Sequence, residues 1–565
     1  MNFGRAAHYL VVTAIVLYLI LAFRVVGDYG ITFDEPENFA VGHKYLNYYL
    51  TGQLVFSDDN PIINEHPNFY NSLFKDYPYR YGSFANILSA VSCYLFFQKF
   101  QILDAISAHH IIIPILTAFF LYCFFIFAKN YWGNYVGFFS VLLLITYPRF
   151  FGDTFNNIKD VPMLIFSSIA IMAFAHWYCR KQTRYFYFAF LFFGIALATR
   201  LDNVFLAVII ILWLSLCFII NHPRRYFFDK KTIVSFIAGL LIIFTVFVIF
   251  YPPLLPWQSD KGIFIAKVWE YGLQVGVAKN TPWNMYPLLQ VLYVTPIPII
   301  IFFLTGLFYL LAQIFHSPAY RGQMRIDSGS SLRNGFMHSN PAIDAVKIND
   351  SNRMNLLLLI WVAFPLFRYC LPGSINSDGI RKFLIFIVPF SIIASIGAKM
   401  IVGRICFKIK TARLPLMLFL SALALIPNIY ALISGHPYQN TYYNYWAGGL
   451  KGAQEKGIPF SCDYWLNSYR EAGKWLEKNA RANTTVTAFP YPDLMQYYIT
   501  RRDLVCSSSF DIVFTRCYFV LVPRKWWPMI AYHDISRYLV KLSGCQIVHQ
   551  IKRQGGTIAT IYYCP

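Results

Sequence analysis

Apolar runs long enough to cross a bilayer recur along most of this sequence, and they leave it few folds to choose from. A span needs about 17–25 predominantly apolar residues. Lipid offers no partner to a backbone amide, so each span must close its own hydrogen bonds as a helix. The first run, His8–Val26, follows Arg5 with no small-residue cleavage site and reads as a retained span. Further runs lie at His109–Ala128, Tyr135–Tyr147, Val161–Tyr178, Tyr185–Ala198, Val204–Ile220, Thr232–Phe250, Pro287–Phe315, Leu356–Leu371, Phe383–Val402 and Leu414–Ile433. Charged residues make up 13% of the chain and hydrophobic ones 57%, whereas a soluble protein carries about 25% charged residues. The predicted fold class is a polytopic α-helical membrane protein of about 11 spans, with juxtamembrane helices and a small C-terminal α/β domain outside the membrane.

The formal net charge of +21 does not call for nucleic acid, because the basic residues gather in short loops between apolar runs, as the positive-inside rule describes. Four such loops hold Arg180, Lys181 and Arg184; Arg224, Arg225, Lys230 and Lys231; Arg321, Arg325, Arg333, Lys347 and Arg353; and Arg404, Lys408, Lys410 and Arg413. All four face the cytoplasm with the N-terminus if one further early run, Ser83–Phe97, is a re-entrant or juxtamembrane helix. The expected organisation is then a membrane part at 1–434 and an outer domain at 435–565, with an outer first loop at 28–108 and a cytoplasmic linker at 316–354. In that loop Glu37–Leu50 suits an amphipathic helix lying on the membrane surface. In the tail, the stretch from Asp463 through Trp465 reads as a turn into an amphipathic helix, and Thr485–Phe489 and Phe514–Val522 as strands. Of the eleven cysteines, Cys462, Cys506, Cys517, Cys545 and Cys564 lie in the tail, where an oxidising compartment would support one or two disulfides. No Cys/His spacing suggests zinc.

Four polar clusters interrupt this apolar chain. Asp34, Glu35 and Glu37 stand just beyond the first span, and carboxylates there are costly unless wetted, paired or functional. Taken alone, Asp34 ahead of Pro36 is more often a helix N-cap than a catalyst. The second cluster holds Arg149, Asp153, Asn156, Asn157, Lys159 and Asp160. Its plain reading is a solvated loop, with Lys159 and Asp160 an exposed pair worth about 0–1 kcal/mol or Asp160 a cap. Arg200 and Asp202 break two apolar runs with almost no room for a loop, so they face a cavity or each other, or Arg200 snorkels to the interface. Asp378, Arg381 and Lys382 put a basic pair on the outer side against the usual bias, which asks for an anionic partner. A lipid phosphate suits the planar fork of an arginine.

Span parity places all four clusters on one face of the membrane. Carboxylates and arginines at headgroup depth are what sugar transfer from a lipid phosphate requires. The acceptor hydroxyl must lose its proton to a carboxylate within hydrogen-bond reach. Nearby carboxylates steady an oxocarbenium-like sugar, and cations steady the departing phosphate.

Read in order, Thr32 to Pro36, Pro148 to Gly152, Phe155 to Pro162, Asp378 to Phe383 and, in the tail, His436 to Tyr438, Tyr443, Asn444, Gly448, Gly449 and Asp463 to Trp465 form a pattern. It resembles the membrane-embedded GT-C glycosyltransferases, and within them the bacterial branch of the protein O-mannosyltransferases and lipid A aminoarabinose transferases. The resemblance implies a GT-C-like fold and an enzyme of the bacterial inner membrane. Such an enzyme uses a polyprenyl-phosphate sugar on the periplasmic face and inverts the anomeric carbon. Carried over by position, Asp34 would be the acceptor base and Glu35 a supporting acid, and the second loop would contribute Asp153 or Asp160. Lys159, Arg200, Asp202, Asp378, Arg381 and Lys382 would bind the donor. The branch commonly carries His where Asp153 and Lys382 stand here. The acceptor stays open among a glycan, lipid A and a protein. Some relatives bind a divalent cation, although no ligand cluster in this sequence requires one.

Two other classes compete with this reading. A lipid or sugar transporter or flippase would show inverted repeats or broken spans with ionisable groups at the midplane, and neither pattern stands out here. A membrane assembly protein would use its tail to recruit partners.

Overall fold

Nearly every apolar run is a helix. The computed structural model describes residues 3–52, 83–221, 230–250, 282–315, 341–374, 378–406, 413–507, 516–522 and 542–565. The first half holds α1 (Phe3–Val25), α2 (Glu35–Thr51), α3 (Phe84–Cys93), α4 (Ala105–His110), α5 (Ile112–Trp132), α6 (Asn134–Ile145), α7 (Pro148–Asn156), α8 (Asp160–Arg180), α9 (Thr183–Thr199), α10 (Phe205–Asn221) and α11 (Lys230–Ile249). The second half holds α12 (Tyr286–Val294), α13 (Ile297–Phe315), α14 (Pro341–Cys370), α15 (Ile387–Ile405), α16 (Arg413–Ser434), α17 (Gly449–Glu455) and α18 (Ser468–Asn479).

Among the described residues, 8 helical stretches are long and apolar enough to cross a membrane, or up to 9 if α6 and α7 count as one broken span. α9 and α10 are shorter apolar helices; about 11 spans were anticipated. A 64° bend takes α7 out of the line of α6. The run beginning at Ser83 forms α3 and continues from it as a π-helical segment, Tyr94–Lys99, together shorter than the spans, and α2 covers the amphipathic stretch anticipated at Glu37–Leu50.

Burial separates the centre of the bundle from its rim. The span at 381–405 is 83% enclosed by protein over its apolar window, whereas that at 230–249 is 11% enclosed. α13 and α15 cross at Gly306 and Gly397, where a Cβ on either would run into the backbone carbonyl of Ile393 or Phe302. Close backbone approach at small residues is how helices pack where lipid removes the hydrophobic drive.

The tail builds a five-stranded mixed sheet in the order β2-β1-β3-β5-β4, from β1 (Thr484–Phe489), β2 (Leu504–Cys506), β3 (Cys517–Leu521), β4 (Gln546–Arg553) and β5 (Gly556–Cys564). β1 runs parallel to β2 and β3, and β5 antiparallel to β3 and β4. α18 lies against it, with Trp475 stacked on His549 of β4 at 5.1 Å between centroids. Cys545 and Cys564 are disulfide-bonded, whereas Cys462, Cys506 and Cys517 form no disulfide among the described residues. β1 and β3 fall where strands were anticipated; β2, β4 and β5 were not.

The tail also closes over the start of the membrane part. Tyr29 stacks on Phe155 at 4.3 Å and donates its hydroxyl to Gln439 Oε1 at 2.8 Å. The Ile31 amide donates to the Tyr498 hydroxyl at 2.6 Å, and Phe33 stacks on Tyr491 at 5.3 Å. These contacts fix the backbone that delivers Asp34.

Candidate active site

α2 starts where Pro36, in its first turn, has no amide to satisfy. Asp34 occupies the N-cap position, yet its side chain makes no cap hydrogen bond. Glu35 turns back instead: its Oε2 accepts the Thr32 amide at 2.7 Å, in the turn that leads into the helix. The Asp34 carboxylate thus turns outward, and its Oδ2 meets Lys159 Nζ at 3.0 Å and Arg381 Nη1 at 3.1 Å.

The same division of labour holds at α8. Asn157 Oδ1 accepts the Asp160 amide at 2.8 Å, so a neighbouring side chain meets the helix start and the Asp160 carboxylate does not. That carboxylate, fully buried, pairs with Arg200 through Oδ1 and lies 3.7 Å from Arg381 through Oδ2. Lys159 and Asp160 are both buried, and each turns to a different partner. The solvated-loop reading of this stretch therefore does not hold.

Arg381 stands between these acids. Asp378 and Gly379 both take left-handed backbone angles, with φ of 59° and 69°, and this tight turn doubles Asp378 back to accept from Arg381 Nη2 at 2.5 Å. A Cβ on Gly379 would strike the Arg149 guanidinium, so glycine is needed twice over, for φ and for room. Arg149 is fully buried, donates through Nε to the Tyr442 carbonyl at 3.2 Å and lies over the Tyr443 ring at 4.9 Å. Arg381 in turn lies over the Trp465 ring at 5.2 Å.

These surroundings set the acids apart. Burial would raise the Asp34 carboxyl, but Lys159 and Arg381 outweigh it and hold the group well below the usual carboxylate range. Asp153, at the end of α7, is pushed up to about 8 by burial and then by the Asp160 charge, against the pull of Arg149 and Arg381. Its neutral form is favoured. Glu35 is raised by burial, and His110 pulls it back; its Oε1 lies 3.0 Å from His110 Nε2. Around Asp34, Asp160 and Asp378 stand Lys159, Arg381 and Arg200, with Arg149 and Lys382 nearby. The balance is cationic and can accept an anion.

Of the anticipated residues, Asp34, Lys159, Asp160, Arg200, Asp378 and Arg381 form one connected ion-pair chain drawn from four separate stretches. Glu35 turns away from it, to His110. Lys382 lines an adjoining cleft with Asn203, Phe205, Phe364 and Arg368. The Asp202 side chain lies outside what is described. Each of Asp34, Asp160 and Asp378 has an oxygen committed to a cation. Among the described residues the acids of this site do not gather as the oxygen cradle that calcium or magnesium would need, so the residues do not fit such an ion. Sequence reading passed over Arg149 as an anchor, although an arginine next to Pro148 inside an apolar stretch is itself a signal. Trp465 stood out only as part of the tail motif, without a role, and His110 carried no signal.

Residues 89–251 match the model of a family described as dolichyl-phosphate-mannose-protein mannosyltransferase, in keeping with the resemblance carried by the motifs. Two solved structures are similar at low identity. ArnT from Cupriavidus metallidurans, bound to undecaprenyl phosphate, is 10% identical, with 99% of this chain and 98% of that chain covered and a TM-score of 0.47. The oligosaccharyltransferase AglB from Archaeoglobus fulgidus, in complex with an inhibitory peptide and a dolichol-phosphate, is 12% identical, with 92% and 70% covered and a TM-score of 0.48. No curated protein sequence matches the chain.

Proposed function

We propose that this protein is an integral-membrane glycosyltransferase that moves a sugar from a polyprenyl-phosphate donor to an acceptor hydroxyl or amine. The observation that carries the reading is the placement of Asp34, a carboxylate not used for capping, against Lys159 and Arg381. A base thereby stands beside cations suited to the leaving phosphate. The description of the family matched over 89–251 supports the same donor class.

The acceptor oxygen or nitrogen attacks the anomeric carbon as the carbon–oxygen bond to the phosphate breaks, which inverts that carbon. The acceptor proton passes to Asp34. The negative charge left on the lipid phosphate falls to Arg381 and Lys159, with Arg200 behind them. Protonated Asp153 is a hydrogen-bond donor rather than a second anion. Asp34 is a poor base while both cations hold it. A donor phosphate competes for Lys159 and Arg381 and so frees Asp34 as it binds, which ties proton removal to the presence of donor.

The site faces the periplasm of a bacterial inner membrane in this reading. The basic loops on the opposite side and the Cys545–Cys564 disulfide in the tail support that orientation. The acceptor is a glycan, lipid A or a protein. Mass spectrometry of envelope lipids, glycans and proteins with and without the gene tests the reading. A lost sugar together with an accumulating lipid-linked donor is expected, and an unchanged envelope overturns it.

A further inference from the structure

A second cluster lies two turns along α2 from Asp34 and plays no part in the chemistry above. Gly42 of α2 packs on the backbone of Asn86 in α3, an approach that no larger residue would allow. It brings His43 beside the end of α3 and the face of α4. His43 Nε2 lies 3.2 Å from His109 Nε2, and with Cys93 Sγ the three ligand atoms all fall within 4.8 Å of one another. Two imidazole nitrogens on one tetrahedral zinc stand about 3.3 Å apart.

The surroundings prepare these atoms for metal. His109 Nδ1 lies 2.9 Å from Ser89 Oγ, and that hydroxyl donates its own proton to the His109 carbonyl at 3.0 Å. The hydroxyl oxygen therefore accepts from Nδ1–H, which leaves a lone pair on Nε2 aimed at His43. An outer partner of this kind is what fixes the tautomer of a metal-binding histidine. Phe39 stacks on the His109 ring at 3.9 Å and holds its plane. Cys93 is fully buried and forms no disulfide. Two imidazoles and a thiol suit a borderline-soft ion and not calcium or magnesium.

We propose that His43, Cys93 and His109 bind a zinc-type divalent ion that ties α2 to α3 and α4. On binding, the Cys93 thiol gives its proton to solvent and its sulfur bonds the metal, while the two histidines add as neutral ligands. A fourth position remains for water. The ion would fix α2 between its catalytic end and its membrane-surface end, with Glu35 and His110 closing the same helix pair nearer Asp34. The proposal does not rest on the transferase reading.

Full-length protein purified in detergent and stripped with a chelator is titrated with Co2+. One equivalent should develop the near-ultraviolet thiolate-to-cobalt band and the strong visible bands of a four-coordinate site, and Zn2+ should bleach them. Cys93→Ser should abolish the near-ultraviolet band, and His43→Ala, at a partly exposed ligand, should weaken binding in protein that still folds. Cys123→Ser, at a thiol outside the cluster, should leave the spectrum unchanged. Absence of the bands in wild-type protein, or a thiolate band that persists in Cys93→Ser, overturns the assignment.

Discussion

Asp34 Oδ2 lies 3.1 Å from Arg381 Nη1 across 347 residues of sequence. The pair joins the first loop to the start of the span at 381–405, the most enclosed among the described residues. Arg381 also holds Asp378 through its other terminal nitrogen at 2.5 Å, so one guanidinium bridges two carboxylates.

That bridge predicts that Arg381→Lys will not behave as a conservative change. An ammonium cannot span both acids with the geometry of a planar fork. Polyprenyl phosphate should bind more weakly to Arg381→Lys and more weakly still to Arg381→Ala, with a loss of about 2–5 kcal/mol for the alanine variant. Equilibrium binding of the lipid to purified protein checks this. Unchanged affinity would remove Arg381 from the phosphate site.

Asp153 predicts a dependence of stability on pH. Its folded carboxyl is raised to about 8, against about 3.9 for an unfolded aspartate. Between those values the folded state holds a proton that the unfolded state has lost. The stabilising contribution is complete below the unfolded value and drains away as pH rises through the folded one. Asp153→Asn lacks this penalty. Its melting temperature should match wild type near pH 4 and exceed it increasingly towards pH 8. A constant difference across that range would contradict the account.

Gly379→Ala should destabilise the protein by more than the about 1–3 kcal/mol that a strained left-handed residue costs, because its methyl also meets Arg149. Gly52 offers the comparison: its φ is 76° but nothing lies near it. Thermal melts of the two alanine variants should separate, with Gly379→Ala the lower, and equal losses would deny the Arg149 contact.

How far such a site can be read from sequence depends on the range of the interaction. The spans were legible because apolar length is local information, and the run at Ser83 was legible as shorter than the spans. Whether Asp34 caps its helix was not, since a cap and a base share one local pattern. What separates them is the Glu35 bond to the Thr32 amide and a lysine and an arginine far along the chain. Lys159 and Asp160 look like an exposed pair for the same reason; their burial comes from elements that sequence neighbours do not reveal. The β4–β5 hairpin had a local signal that was passed over, Gln554 and Gly555, both with positive φ, the preference of a tight hairpin turn. The His43, Cys93 and His109 group had none, because its members come from three helices and stand far apart in the sequence.

The most direct test of the central claim is single-turnover transfer by purified protein from a polyprenyl-phosphate sugar to its acceptor, comparing wild type with Asp34→Asn. Asp34→Asn keeps the shape and removes the base, so transfer should fall by about 10²–10⁴-fold, while polyprenyl phosphate binds at least as tightly because Lys159 and Arg381 are released. Near-normal turnover by Asp34→Asn would contradict the assignment of Asp34 as the base.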